Sequence, residues 1–156
     1  MSRDTLVSQT MTADPLTLRA DEKVEDAMRA LARRGVAGAP VVDDRGALVG
    51  LLSDDDLILA ESRLHLPTVI SILGAYIEWP PSQKHFEADL RKAVGATVAE
   101  VITREPLTCG PNDTLETVAT LMHDHHVDRL PVVADGGQVV GIITRSDLVR
   151  TMVAGR

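Results

Sequence analysis

The sequence predicts an α/β protein: two strand–helix–strand–strand–helix units in tandem, packed face to face, with a helical connection between them. Three observations predict it. Sliding the 156-residue chain by 91 positions aligns residues 7–57 with 98–148 without a gap, and 16 of the 51 paired positions are identical, far above chance for this composition. Each copy ends on the same pattern, Gly50-x-x-Ser53-x-x-Asp56 and Gly141-x-x-Thr144-x-x-Asp147. Upstream of each lies Pro-Val-Val (40–42 and 131–133), then a polar turn containing Gly and a second apolar run, the signature of a β-hairpin.

Taken in order, Leu16-Thr17-Leu18 is a short extended piece. Asp21 is the expected cap of a helix whose apolar stripe is Val24, Ala27, Met28 and Leu31, with Gly35 as its stop. Val41-Val42 and Leu48–Leu52 are strands around the turn Asp43-Asp44-Arg45-Gly46. In the second copy Asn112 is the expected cap, and Leu115, Val118, Ala119 and Met122 form the stripe. Its strands are Val132-Val133 and Val139–Ile143, around Asp135-Gly136-Gly137. One such unit buries little alone; two packed together bury both sheets.

The domain boundaries expected are repeat 1 at 7–57, a helical connection at 58–97 and repeat 2 at 98–150. Within the connection Pro67 opens a run (Val69, Ile70, Ile72, Leu73, Tyr76, Ile77) apolar on nearly every side, stopped by Pro80-Pro81. Phe86, Leu90 and Val94 then make a one-faced stripe ending near Gly95. Such helices either cover the core or meet another subunit, since a helix apolar all round needs cover all round.

The composition narrows the function classes. Hydrophobic residues make up 44% and aromatics 2%, so aliphatic side chains fill the core. A net charge of −7 argues against general nucleic-acid binding, which needs a basic surface. Cys109 is the one cysteine, which excludes intrachain disulfides and Cys-rich metal sites and points to a reducing cytoplasm. The N-terminal Met1-Ser-Arg-Asp-Thr-Leu-Val shows no apolar core of signal-peptide length, and the longest apolar stretch, Val69–Ile77, is too short to span a bilayer.

The chemistry concentrates at the two Gly-x-x-(Ser/Thr)-x-x-Asp turns, each a strand end leading into a helix start. A helix N-terminus favours a phosphate or another anion. The Asp there either accepts hydrogen bonds from a sugar diol or closes a capping box with the Ser or Thr, although that box prefers the longer Glu or Gln. His123, His125 and His126 lie at a helix end, where imidazoles interact well with the carbonyls. Only His123 and His126 share a face, so a metal site is the lesser reading. Asp54-Asp55-Asp56 reads as a charged helix start, with Mg²⁺ as the minority alternative. Cys109, in a short strand, reads as a buried small residue.

The ungapped recurrence of this heptad, with Pro-Val-Val, the hairpin and the lead-ins Thr12–Pro15 and Thr103–Pro106, resembles a pair of cystathionine-β-synthase (CBS) domains, the Bateman module. The connection also resembles that of small bacterial proteins made only of such a pair. The resemblance implies a β-α-β-β-α fold for each copy, a pseudo-twofold pair and two clefts for adenosyl ligands: AMP, ADP, ATP or S-adenosylmethionine. It puts Asp56 and Asp147 on ribose, Ser53 and Thr144 near phosphate, and the backbone at Val36 and Val127 against adenine. Arg129 occupies a place where members that bind phosphorylated ligands often carry a basic residue, and Arg145 and Thr103 join the expected ligand-binding set. The first copy departs from this pattern: Gly38 stands opposite Arg129, and Asp54-Asp55 opposite Arg145-Ser146. Three adjacent carboxylates repel a phosphate unless a cation such as Mg²⁺ bridges them. The two clefts are therefore expected to differ. The function implied is non-catalytic sensing of an adenosyl ligand, with a signal to a partner protein and a likeness to homodimeric modules. A structural dimerisation module with empty clefts is the alternative, and a metal-dependent nucleotide hydrolase a third reading.

Overall fold

The computed structural model describes residues 4–64 and 96–154. The readings placed on Pro67, Val69–Ile77, Pro80-Pro81, Phe86, Leu90, Val94 and Gly95 lie outside the described residues. In chain order there is a 3-10 turn (Val7–Gln9), then β1 (Thr12–Ala13), β2 (Leu18–Arg19), α1 (Val24–Arg34), β3 (Gly38–Val42), β4 (Leu48–Ser53) and α2 (Asp54–Leu64). The second copy supplies α3 (Val98–Val101), β5 (Thr103–Arg104), α4 (Leu115–Asp124), β6 (Arg129–Val133), β7 (Val139–Thr144) and α5 (Arg145–Ala154).

The strands form two sheets, ordered β2-β3-β4-β5 and β1-β7-β6. Each sheet contains a strand from the other repeat. β1 pairs antiparallel with β7, Thr12 opposite Ile142, and β5 pairs antiparallel with β4, Gly50 opposite Arg104. The lead-in of each copy is thus exchanged, and its backbone seals the exchange. Val7 N donates to Asp113 O at 2.8 Å and Leu115 N to Thr5 O at 2.9 Å; the counterparts are Val98 N to Glu22 O at 2.9 Å and Val24 N to Ala96 O at 3.0 Å. Val7 consequently lies in one core with Leu115, Val118, Met122, Leu130 and Ile143, and Val98 in the other with Leu18, Ala27, Leu31, Val41 and Leu52. The repeats read from the sequence are units of duplication; the packing units cross between them.

The exchange accounts for the glycine of the repeated heptad. A Cβ on Gly50 would stand 2.7 Å from Ile102 Cδ1 and 2.8 Å from Thr103 O, and one on Gly141 would meet the Met11 sulfur. Each glycine lets the other copy's lead-in lie against the sheet. Both lead-ins leave by the same turn, with Asp14 and Glu105 in the left-handed region (φ 47° and 51°) just before Pro15 and Pro106.

Gly35 (φ 63°) caps α1 as expected, and the stripes bury Ala27, Leu31, Leu115, Val118 and Met122. The N-caps differ from expectation. Lys23, without a side-chain cap bond, occupies the N-cap of α1 in place of Asp21, because the first helical N–H is met by Ala96 O of the other lead-in. For α4 the N-cap is Thr114, not Asn112; its hydroxyl accepts from Thr117 N at 3.2 Å. The hairpins form where predicted. Asp43 Oδ1 accepts from Ala47 N (3.0 Å) and Arg45 N (2.8 Å), which holds its carboxyl below the usual range. The two hairpins also bond to each other, Val139 N donating to Gly46 O at 3.0 Å.

Candidate functional site

Both helix starts that follow the heptads are closed capping boxes. In the second copy Asp147 Oδ2 accepts from Thr144 N and Thr144 Oγ1, both at 2.8 Å, and Asp147 N donates back to Thr144 Oγ1 at 3.3 Å. In the first, Asp56 Oδ2 accepts from Ser53 N (3.0 Å) and Ser53 Oγ (2.9 Å), and Asp56 N donates to Ser53 Oγ at 3.3 Å. The shorter Asp therefore does reach the cap, so its occurrence in place of Glu is no argument against a cap. The second carboxylate oxygens differ between the copies. Asp147 Oδ1 accepts from Arg150 Nη2 at 2.9 Å, whereas Asp56 Oδ1 accepts from Thr103 Oγ1 at 2.9 Å.

A cleft of about 1180 Å³ opens beside Asp147, ample for a nucleotide. Its walls come from both copies. The first contributes Thr12 and Asp14 from the lead-in and Arg34–Gly38 from the turn after α1; the second contributes Asp128, Arg129 and the start of α5, with Thr144, Arg145, Asp147 and Arg150. Val36, an exposed apolar side chain, lines this wall, while Val127 does not; Val127 O instead accepts from Arg145 Nη2 at 3.2 Å. Thr103, Ser53 and Asp56 gather at the other helix start. Of the expected ligand-binding residues, then, Val36, Arg129, Thr144, Arg145 and Asp147 come together in one cleft.

Asp147 is buried at 9% exposure in a wall that also holds Arg34, Arg129, Arg145 and Arg150. The backbone contributes less than a bare helix start would. Thr144 N is engaged by Asp147, and Arg145 N donates to Asp128 O at 2.7 Å, so the arginine side chains are the main cationic groups for an anion.

Arg129 crosses toward the first copy. Its Nε and Nη2 donate to Asp128 Oδ1 and Oδ2, both at 2.8 Å, and Nη2 lies 3.7 Å from Asp54 Oδ1. This hydrogen-bonded pair lowers the Asp128 carboxyl and raises the guanidinium. A Cβ on Gly38 would stand 2.5 Å from Arg129 Nη1 and 2.8 Å from Leu52 O. The glycine opposite Arg129 is thus the space that Arg129 occupies.

His123, His125 and His126 are exposed, and His126 takes the left-handed conformation (φ 54°) at the position where Gly35 ends α1. Among the described residues no cluster of three His, Cys, Asp or Glu could hold a metal ion. Cys109 is buried, and burial pushes its thiol up to about 12. No helix among the described residues is long and apolar enough to cross a membrane.

Sequence reasoning missed Thr12, Asp14, Arg34, Asp128 and Arg150. Thr12 had a signal: it is the 91-residue counterpart of Thr103. Arg150 had a weaker one, three residues after Asp147 on the same helix face.

Comparison with known proteins places these features. The chain is 30% identical over 145 residues to the uncharacterized protein MJ1426 of Methanocaldococcus jannaschii, covering 89% of this chain and 86% of that one. It is 33% identical over 135 residues to the CBS domain-containing protein CBSX2, chloroplastic, of Arabidopsis thaliana, covering 81% of this chain but 54% of that relative, about half its length. The crystal structure of CBSX2 in complex with AMP superposes with a TM-score of 0.73 at 28% identity, over 96% of this chain and 97% of that one. The CBS domain pair of protein MJ0100 shares the fold, with a TM-score of 0.73 at 24% identity over 97% and 98% of the two chains. The CBS domain profile matches residues 7–63 and again 98–154, the same two copies that exchange their lead-in strands, and the chain therefore belongs to the CBS domain family.

Proposed function

We propose that this CBS pair is a non-catalytic regulatory module that binds an adenine nucleotide in the Asp147 cleft and signals to a partner protein. The observation that carries the reading is a buried carboxylate, Asp147, set among four arginines in a cleft built by both copies. Asp147 would hold the ribose diol, Val36 would lie against adenine, and Arg145 and Arg129 would meet phosphate with Thr144 close by. The similarity to CBSX2, whose crystal structure contains AMP, supports a nucleotide of this kind. The Asp56 helix start would be the poorer phosphate site, since Asp54, Asp55 and Asp56 stand together there; a second ligand bound at it would be a weakly charged adenosyl compound such as S-adenosylmethionine, with Val127 against the base, or would require Mg²⁺.

The partner is another chain, met in the cytoplasm by a homodimer. Ile58 on α2 and Met152 on α5 are exposed apolar side chains among the described residues, which supports protein contacts there; the exposed Val149 and Val153 instead line the Asp147 cleft. Light scattering at micromolar concentration is expected to give a dimer mass.

The alternative, a dimerisation module that binds no ligand, is favoured by one observation: every oxygen of Asp147 and Asp56 already has an intrachain partner. Thermal melting with adenosine, AMP, ADP, ATP, S-adenosylmethionine and NAD, with and without Mg²⁺, separates the two. Sensing predicts a rise in Tm with at least one nucleotide that depends on Asp147. A dimeric protein whose Tm no ligand moves is the alternative.

A further inference from the structure

We propose that Arg150 is a specificity-determining residue: it occupies the ribose-facing oxygen of Asp147 and yields it more readily to a nucleotide than to an uncharged nucleoside. The inference rests on the assignment of the Asp147 cleft to an adenosyl ligand.

The two oxygens of Asp147 have different work. Oδ2 accepts two bonds from Thr144 and belongs to the helix cap. Oδ1 is the oxygen left for a sugar diol, and Arg150 Nη2 holds it at 2.9 Å. The Arg150 side chain is 76% exposed against 11% for Asp147, so the acid is fixed and the arginine is the movable member. Arg150 also lines the cleft, so its guanidinium stays on the wall when it lets go.

The first copy holds the contrasting arrangement. Its cap has the same geometry, but Leu59 stands where Arg150 stands in the second, and Asp56 Oδ1 is held by the neutral hydroxyl of Thr103. Displacing a hydroxyl by a ribose hydroxyl exchanges like for like. Displacing Arg150 breaks a charge-assisted bond and leaves an unpaired cation on a wall that also holds Arg34, Arg129 and Arg145. Of the other carboxylates on the wall, Asp128 is already charge-matched by Arg129 through both of its oxygens, which leaves Asp14 alone against Arg34, Arg145 and the released Arg150. A ligand phosphate supplies the missing countercharge; a bare nucleoside does not. Arg150 thus opposes adenosine and favours AMP at a single position.

The test is isothermal titration of the full chain and its Arg150→Ala and Arg150→Lys variants with adenosine and with AMP. Arg150→Ala frees Oδ1 and is expected to tighten adenosine by about two- to fivefold, the scale of an exposed ion pair. The same change weakens AMP by roughly fivefold or more through loss of the countercharge. The preference for AMP over adenosine therefore falls about tenfold or more, and Arg150→Lys restores part of it. If both affinities move by the same factor, or AMP tightens along with adenosine, Arg150 is an ordinary surface ion pair and the proposal is overturned. A wild-type chain that binds neither compound, with Asp147→Ala equally silent, removes the ribose assignment itself and the proposal with it. That result is distinct from equal shifts on a working site.

Discussion

Replacing Asp147 with alanine tests its two roles separately, because the cap is read in the free protein and the proposed ribose contact only in the shift that AMP adds. In the free protein the substitution removes the two bonds from Thr144 to Oδ2 and the exposed pair with Arg150. Loss of a cap costs about 1 kcal/mol, within a range of roughly 0.5–2. The ion pair adds little, because Arg150 is mostly in solvent. For a chain of this size about 1–2 kcal/mol lowers Tm by about 2–8 °C. On the ligand side, an AMP Kd near ~10 μM at ~1 mM ligand stabilises the folded state by about 2.7 kcal/mol. That corresponds to a rise of about 5–11 °C. Two hydrogen bonds to a charged acceptor are worth roughly 1.5–3 kcal/mol each before water replaces the carboxylate, so affinity falls at least about tenfold. At the same ligand concentration the stabilisation then drops to roughly 1.4 kcal/mol or less, and the Tm rise halves or better. Differential scanning fluorimetry of wild type and variant, each with and without AMP, reads all four numbers. A variant that melts lower while keeping the full ligand-induced rise would make Asp147 a cap alone and refute the assignment.

Other consequences follow from the same geometry. Gly38→Ala drives a Cβ against Arg129 Nη1 and Leu52 O, so it should cost about 1–3 kcal/mol in urea unfolding; adding Arg129→Ala should recover part of that loss, leaving the Leu52 contact, and simple additivity would contradict the packing described. His126→Gly relieves a left-handed non-glycine residue at an exposed helix end and should stabilise by about 1 kcal/mol after the entropy cost of glycine, read as a Tm rise of about 2–4 °C. Asp128 and Asp43 have folded-state values held below the ordinary carboxylate range, so the stability they contribute is complete above that range and is lost as pH falls through the lowered values. Asp128→Asn should therefore lower Tm at neutral pH, by a margin that shrinks toward the acid end of a pH series; a constant margin would contradict the pairing with Arg129.

The parts of the fold that depend on local chemistry were legible in the sequence. Gly35 ends α1 in the left-handed conformation, Asp43 and Gly46 build the first hairpin turn, and the stripe at Leu115, Val118 and Met122 is buried. The exchange of lead-in strands was not, because the copies are equivalent in pattern: the short segments at Thr12 and Thr103 pair equally well, by alternation alone, with either Gly141 or Gly50. The same non-local contact misled the cap assignment of α1. Asp21 looked like a cap because its helix needs one, yet Ala96 O from the other copy meets that need. At the site, the asymmetry of Gly38 and Arg129 was visible as a difference, but only the three-dimensional contact shows that one residue makes room for the other. Arg150 was overlooked because an Asp and an Arg three apart on a helix read as an ordinary surface pair.

The central claim is that the cleft between the copies at Asp147 receives an adenine nucleotide, and a crystal structure of the chain grown with AMP tests it most directly. The account predicts AMP in that cleft, its ribose diol on Asp147 Oδ1, its base along Val36, its phosphate toward Arg145 and Arg129, and Arg150 turned away from Asp147. AMP at the Asp56 helix start alone, or an Asp147 cleft still closed by the Arg150 contact under saturating AMP, would contradict it.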